Sequence, residues 1–322
     1  MNDLLERCFL YEQRIGKTPL YRINSLEERN IKMYMKMEGK NVTGSTKDRS
    51  AYAILKNAII NKEVRENTTI IESSSGNFGI AMAALCKFLG LKFICVCDKK
   101  TTNANLNMLK LYGAEIVVVE EKDERTKEYL PKRLETVRVL SETISNSYVP
   151  NQYGNLNNPL GHEETMREIA ETLENSVDYI FVAVSTFGTL RGYADYIQKQ
   201  GLNTKIIAID AEGSVLFDTK KRKTVIPGHG AACVPSLFCR KLVDDFILVN
   251  DMECVNGCRF ILKNEGVLVG GSTGGIVAGL MKYIEKIIDN SVCVFIMHDA
   301  GDRYIDTVYS DMWVKNNVMS LE

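Results

Sequence analysis

Residues 69–97, TIIESSSGNFGIAMAALCKFLGLKFICVC, decide the fold. Thr69–Glu72 is a short β-rich run, and a loop of serines and glycine follows it. Asn77–Leu89 then reads as an amphipathic helix, and Lys92–Cys97 is a second apolar run. Both runs are almost continuously apolar, the mark of strands buried on both faces of a parallel sheet. The pattern repeats outward. Candidate strands lie at Glu115–Val119, Tyr179–Val184, Lys205–Asp210, Phe246–Val249 and Ser291–Met297, and candidate helices at Thr102–Tyr112, Gly161–Glu174 and Gly274–Asp289. Alternation of this kind predicts an α/β architecture with right-handed crossovers. The charged stretch 120–138 predicts a solvated helix.

At 322 residues the chain suits one large unit or two modest ones. Forty basic and 41 acidic side chains give a net charge of -1, so bulk electrostatics recruits neither nucleic acid nor an anionic membrane. No apolar run approaches the roughly 18 residues of a membrane span. The amino terminus carries acids early and predicts no secretory signal. Nine cysteines, several inside apolar runs, fit reduced core thiols in a cytoplasm better than a disulfide framework. Cys254 and Cys258 share a helix face, but no histidine or second cysteine pair lies near enough in sequence to suggest a metal.

Four segments carry chemistry. Thr43-Gly44-Ser45-Thr46-Lys47-Asp48-Arg49 opens a helix on a lysine, where the macrodipole favours anions. With partial burial this suits an uncharged amine that attacks an aldehyde, although an exposed Lys-Asp-Arg turn has the same composition. Glu72–Gly79 offers hydroxyls and backbone amides to an anion such as an α-carboxylate, or is a capped strand–helix turn. Ser185-Thr186-Phe187-Gly188-Thr189 has the composition of a phosphate cradle, again or of a capped turn. Gly270-Gly271-Ser272-Thr273-Gly274-Gly275 signals close backbone approach or positive φ, with Ser272 presenting a hydroxyl.

In order and spacing, Ile15-Gly16-Lys17-Thr18-Pro19-Leu20, Gly44–Arg49, Ser74-Ser75-Gly76-Asn77 and Gly270–Gly274 resemble the motif series of fold-type II pyridoxal 5'-phosphate (PLP) enzymes, the cysteine synthase and cystathionine β-synthase relatives. The resemblance runs from residue 15 to about residue 313. It implies two open, twisted, mostly parallel-sheet domains with helices on both faces, as in the tryptophan synthase β subunit, and PLP in the interdomain cleft. The larger domain would comprise 1–40 and 147–322, the smaller 41–146. Lys47 would carry the cofactor as a Schiff base and act as the catalytic base. Asn77, Ser185, Thr186, Phe187, Gly188, Thr189 and Ser272 would bind the cofactor, with Ser272 at the pyridine nitrogen. Ser73, Ser74, Ser75, Gly76 and Gln152 would bind the substrate. The resemblance also implies a homodimer acting on small amino acids.

Departures from the common pattern narrow the reading. No proline precedes the lysine loop (Asn41-Val42-Thr43), STFGT stands at 185–189 where cysteine synthases carry GTGGT, and Tyr153 replaces a usual Phe. Together with 210–217 and 301–313, these resemble the N-(2-amino-2-carboxyethyl)-L-glutamate synthase branch of siderophore biosynthesis, which joins O-phospho-L-serine to the amine of L-glutamate in a route to 2,3-diaminopropionate. Arg133, Tyr153 and Ser185 would then recognise the substrates, since a dicarboxylic nucleophile needs a cation and hydroxyl donors. Arg133 also fits an ordinary solvated helix, and Tyr153 and Ser185 fit packing variants. His229 stands where relatives are usually aliphatic and reads as a packing or solvent-facing residue, or as an aid to a phosphate leaving group. His162 and His298 read only as packing or solvent-facing residues. The rivals are a cysteine synthase using O-acetylserine or O-phosphoserine with sulfide, a catalytically silent PLP-binding regulatory module, and a dinucleotide-dependent oxidoreductase, which the absence of a placed G-x-G-x-x-G disfavours.

Overall fold

The computed structural model describes residues 3–218 and 224–319. In chain order the strands are β1 (Leu20–Arg22), β2 (Lys32–Lys36), β3 (Thr69–Ser73), β4 (Lys92–Asp98), β5 (Glu115–Val119), β6 (Ser147–Tyr148), β7 (Tyr179–Ala183), β8 (Lys205–Ala211), β9 (Asp245–Val249) and β10 (Val292–Ile296). The α-helices are α1 (Asp3–Glu12), α2 (Lys47–Ile60), α3 (Asn77–Leu89), α4 (Asn103–Leu111), α5 (Leu130–Thr143), α6 (Asn158–Thr172), α7 (Gly188–Gln200), α8 (Asp251–Glu265), α9 (Gly271–Tyr283) and α10 (Asp311–Asn317).

The chain divides into two units, each with its own sheet and apolar core. The smaller comprises 1–15, 41–43 and 47–161. Its sheet is parallel throughout, in the order β5-β4-β3-β6. The βαβ unit of residues 69–97 forms as expected. All five residues of β3 are buried, and Gly90 ends α3 in a left-handed conformation (φ 73°) that a Cβ would oppose. The larger unit comprises 16–40, 44–46 and 162–322. Its sheet runs β1-β2-β10-β7-β8-β9, with only β1 antiparallel.

The domain limits differ from those expected. Residues 1–15 belong with the smaller unit because Leu4, Cys8 and Tyr11 of α1 enter its core. Residues 147–161 join it because β6 pairs with β3. Three strands lack an apolar run that would reveal them. β1 and β6 are only three and two residues long, and β2 (Lys-Met-Tyr-Met-Lys) is bracketed by lysines. The stretch 120–138 is helical only from Leu130; before it, Asp123 accepts from the backbone and hydroxyl of Thr126 and closes a turn.

Candidate active site

In the larger unit, β7 and β10 are neighbours at the centre of the sheet. Loops leaving the carboxyl ends of adjacent central strands are the usual ligand-binding ground of open α/β sheets. From β7 the chain runs through Ser185–Phe187 into α7. Phe187 holds φ at 68°, a left-handed value that costs a non-glycine residue and is typical of functional turns. No side chain caps α7, so its N-terminus, flanked by the buried Thr186, Gly188 and Thr189, faces the turn as an anion-binding end. Helix α9 likewise starts without a side-chain cap. Ser272, in its first turn, is nearly buried, and its hydroxyl has no protein hydrogen-bond partner among the described residues.

Two histidines bring these segments together. The backbone N–H of His298 donates to Thr273 Oγ1 at 3.2 Å, beside Ser272. Its carbonyl accepts the N–H of Thr46 at 2.8 Å, one peptide bond before Lys47. Its Nε2 accepts the N–H of Ala183 at 3.2 Å, two residues before Ser185. His162 lies between two hydroxyls, Nδ1 at 3.5 Å from Thr46 Oγ1 and Nε2 at 3.4 Å from Thr189 Oγ1. Residues 44–46 are bound into the same unit, Ala300 donating to Gly44 O at 3.0 Å. The structure thus collects the approach to Lys47, the 185–189 turn and the Ser272 turn around two residues that the sequence alone marked only as packing or solvent-facing.

The smaller unit carries the other predicted residues. Lys47 is half-buried at the first position of the 14-residue α2, where the aligned peptide dipoles favour anions over a cation. Asp48 anchors the turn before it, accepting from Thr43 N and Oγ1, both at 3.0 Å. Between β3 and α3, Ser74 Oγ accepts the N–H of Gly79 at 2.9 Å, which leaves its own proton to donate. Ser73 Oγ is buried without a partner. Ser75, Gly76 and Asn77 are half-buried, Gly76 supplying no cap to α3. Gln152 Nε2 donates to Ser73 O at 3.4 Å, so Gln152 lies against this loop, and Tyr153 follows it half-buried. Beneath, Glu72 Oε1 accepts from Ser73 N and Oε2 from Gln152 N, and burial pushes its carboxyl up to about 7.

Arg133 is not the solvated arginine that its charged neighbours allowed. It is 8% exposed, with Nη1 at 3.3 Å from Asp98 Oδ2, itself buried at the end of β4. The pair lacks hydrogen-bond alignment, and Nε and Nη1 have no hydrogen-bond partner. The glycine run 270–275 is a close-approach device, without positive φ. A Cβ on Gly274 would meet Cys254 O at 2.1 Å, and one on Gly257 would meet Gly274 O at 2.0 Å. Cys254 and Cys258 are buried in the same α8–α9 contact. His229 is buried, its ring nitrogens have no hydrogen-bond partner, and burial holds it neutral, down to about 4. Its Nε2 would lie 3.0 Å from a Cβ on Gly275, so it packs against α9 and is not solvent-facing.

The family model described as "Pyridoxal-phosphate dependent enzyme" matches residues 11–299. The chain belongs to that family. Among solved structures, this PLP enzyme is similar to an O-acetylserine dependent cystathionine beta-synthase from Helicobacter pylori, at 27% identity over 93% of this chain and 98% of that one, with a TM-score of 0.86. It is similar to a cysteine synthase from Entamoeba histolytica at 29% identity, covering 93% and 90%, TM-score 0.85. It also matches a hydrogen sulfide-producing enzyme from Fusobacterium nucleatum at 29% identity, covering 91% and 98%, TM-score 0.83. Its architecture is that of fold-type II. The residues present fit the cofactor. The uncapped start of α7 suits a phosphate, the spare hydroxyl of Ser272 suits a ring nitrogen, and the amine of Lys47 suits the aldehyde.

Proposed function

We propose that the enzyme performs β-replacement on O-phospho-L-serine with L-glutamate as nucleophile, giving N-(2-amino-2-carboxyethyl)-L-glutamate and phosphate. In this reading Lys47 holds the cofactor covalently, Ser185–Thr189 and the first turn of α7 hold its phosphate, and Asn77 and Ser272 hold its ring. When bound, PLP supplies an electron sink conjugated to the α-carbon of an amino acid. Ser73–Gly76 and Gln152 orient the substrate carboxylate by donating hydrogen bonds. Once the amino group of the substrate has displaced it from the cofactor, the freed amine of Lys47 would take the α-proton as the phosphate leaves the β-carbon, and would return it once glutamate nitrogen has added there. Ser272 offers a neutral hydroxyl where an aspartate would keep the ring nitrogen protonated. This favours prompt loss of a β-substituent over prolonged storage of charge.

The observation that carries the choice of glutamate is Arg133, a buried guanidinium that pairs with Asp98 but whose Nε and Nη1 have no hydrogen-bond partner among the described residues. Such a group suits the side-chain carboxylate of a dicarboxylic nucleophile and has no use for sulfide. Tyr153 and Ser185 are assigned as hydroxyl donors to substrate. A second reading, cysteine synthesis from O-acetylserine or O-phosphoserine with sulfide, is favoured by the similarity to a cysteine synthase. Purified enzyme given phosphoserine with glutamate or with sulfide decides between them. Turnover with glutamate is expected, and turnover with sulfide alone would overturn the assignment. We further assign a homodimer in the cytoplasm, where all nine cysteines would stay unpaired as they are here. It would act on small amino acids and bind no nucleic acid or membrane. Sedimentation should then give twice the 36.2 kDa chain mass.

A further inference from the structure

β7 and β10 part company where the loops begin. Their pairing is registered as far as Phe295 against Phe181, whereas β7 stays paired with β8 as far as Ala183 against Ile209. Successive amides of a strand point to opposite neighbours. Val184 donates to Ile209 O on the β8 side at 3.0 Å, so the N–H of Ala183 points to the β10 side. There the β7–β10 pairing has already ended, at Phe295. Instead of a strand carbonyl, Ala183 finds the imidazole Nε2 of His298 at 3.2 Å.

We propose that His298 is a positioning residue whose ring replaces the missing ladder carbonyl and so fixes the start of the 185–189 turn relative to Thr46 and Thr273. The ring takes the end of β7, while the same residue's backbone takes Thr46 N–H and gives its own N–H to Thr273 Oγ1. One residue thereby sets three segments at once: the approach to the cofactor lysine, the phosphate turn and the Ser272 turn. The arrangement requires a bare Nε2, hence the neutral tautomer protonated on Nδ1. The proposal rests on reading those segments as holders of the cofactor, but not on which nucleophile is used.

The test compares wild-type, His298→Gln and His298→Leu holoenzymes. The glutamine carbonyl reaches to where Nε2 lies and can accept the Ala183 N–H; leucine fills the space without accepting. His298→Leu should weaken the visible circular dichroism of the bound cofactor and lower kcat by about tenfold or more, with KM for phosphoserine changed by less than about twofold. His298→Gln should recover kcat to within about threefold and restore the dichroism. Equal impairment of both variants, or a leucine variant indistinguishable from wild type, overturns the proposal. Should the leucine variant fail to fold, nitrogen-15 spectra of the histidine-labelled wild-type holoenzyme decide the matter: a proton on Nε2 of His298 refutes it and a bare Nε2 supports it. Dichroism is read without substrate. Normal dichroism effects in an enzyme that turns over no glutamate would therefore sink the proposed reaction and leave this inference standing.

Discussion

Replacing Arg133 by methionine keeps most of the side-chain volume and removes the guanidinium, with two separable consequences. Asp98, buried at the end of β4, would lose its ion-pair partner, and stranding a buried charge in this way costs about 3–5 kcal/mol of stability. Glutamate would lose a charge-assisted contact worth about 1.5–3 kcal/mol, a rise of roughly 10- to 150-fold in its KM. The double variant Arg133→Met with Asp98→Leu separates the two. Replacing both members of a buried pair by apolar groups is close to neutral, so stability should return while KM for glutamate stays high. Denaturant unfolding reads the first quantity, and phosphate release at varied glutamate reads the second. The absorbance change produced by phosphoserine alone should be the same in all three proteins. A double variant that recovers both stability and glutamate KM would show that Arg133 only neutralises Asp98, and would refute the role in substrate recognition.

Three other outcomes follow from the same geometry. Lys47→Ala should abolish the visible absorption of the purified holoenzyme and all turnover; a retained band would mean that another amine holds the cofactor. Ser272→Asp should keep the cofactor but slow replacement, by holding charge in the ring too long, and unchanged steady-state rates would refute the argument from the neutral hydroxyl. Glu72 keeps its proton up to about pH 7 when folded but sheds it near 4.5 when unfolded, so its contribution to stability is present below pH 4.5 and lost as the pH rises through 7. Glu72→Gln should therefore gain stability relative to wild type between pH 5 and 8, by at most about 3 kcal/mol, and a flat difference in denaturant unfolding across that range would contradict the burial argument.

The parallel sheets were legible because a strand buried on both faces must be apolar almost throughout. β3, β4, β5 and β7–β10 all announce themselves in this way, with every end within one residue of that expected. β2 is silent because lysines stand at its ends, and one of them, Lys36, is buried beside Met33 and Met35 on an ion pair with Glu168 that no local pattern reveals. Domain limits were the least legible feature. Whether 1–15 packs on α2 and α3 depends on where three side chains of a short helix find apolar surface, and no local pattern encodes that. The glycine run at 270–275 was readable as close approach but not as to what approaches. The answer, α8, comes from a helix whose own Gly257 is isolated in sequence.

The site divides along the same line. Lys47, Ser74–Asn77 and Ser272 sit in contiguous motifs because the roles proposed for them draw on groups clustered at a helix start, and that need would write itself into neighbouring positions. His162 and His298 work differently. Each acts through a single ring or a single peptide unit on partners more than a hundred residues away on at least one side: Thr46 for His162, Ala183 and Thr46 for His298. A contact of that range leaves no spacing to read. The one available signal for His298 was positional, the first polar residue after the apolar run ending at Met297, at the carboxyl end of a central strand where open α/β sheets place their ligands. Arg133 was obscured for the opposite reason. Its neighbours in sequence are charged and exposed, and only the docking of α5 against β3 and β4 turns this one arginine inward, towards Asp98. Residues proposed to bind the common cofactor are thus written locally, whereas those proposed to position its holders or to choose the substrate are written in the tertiary contacts.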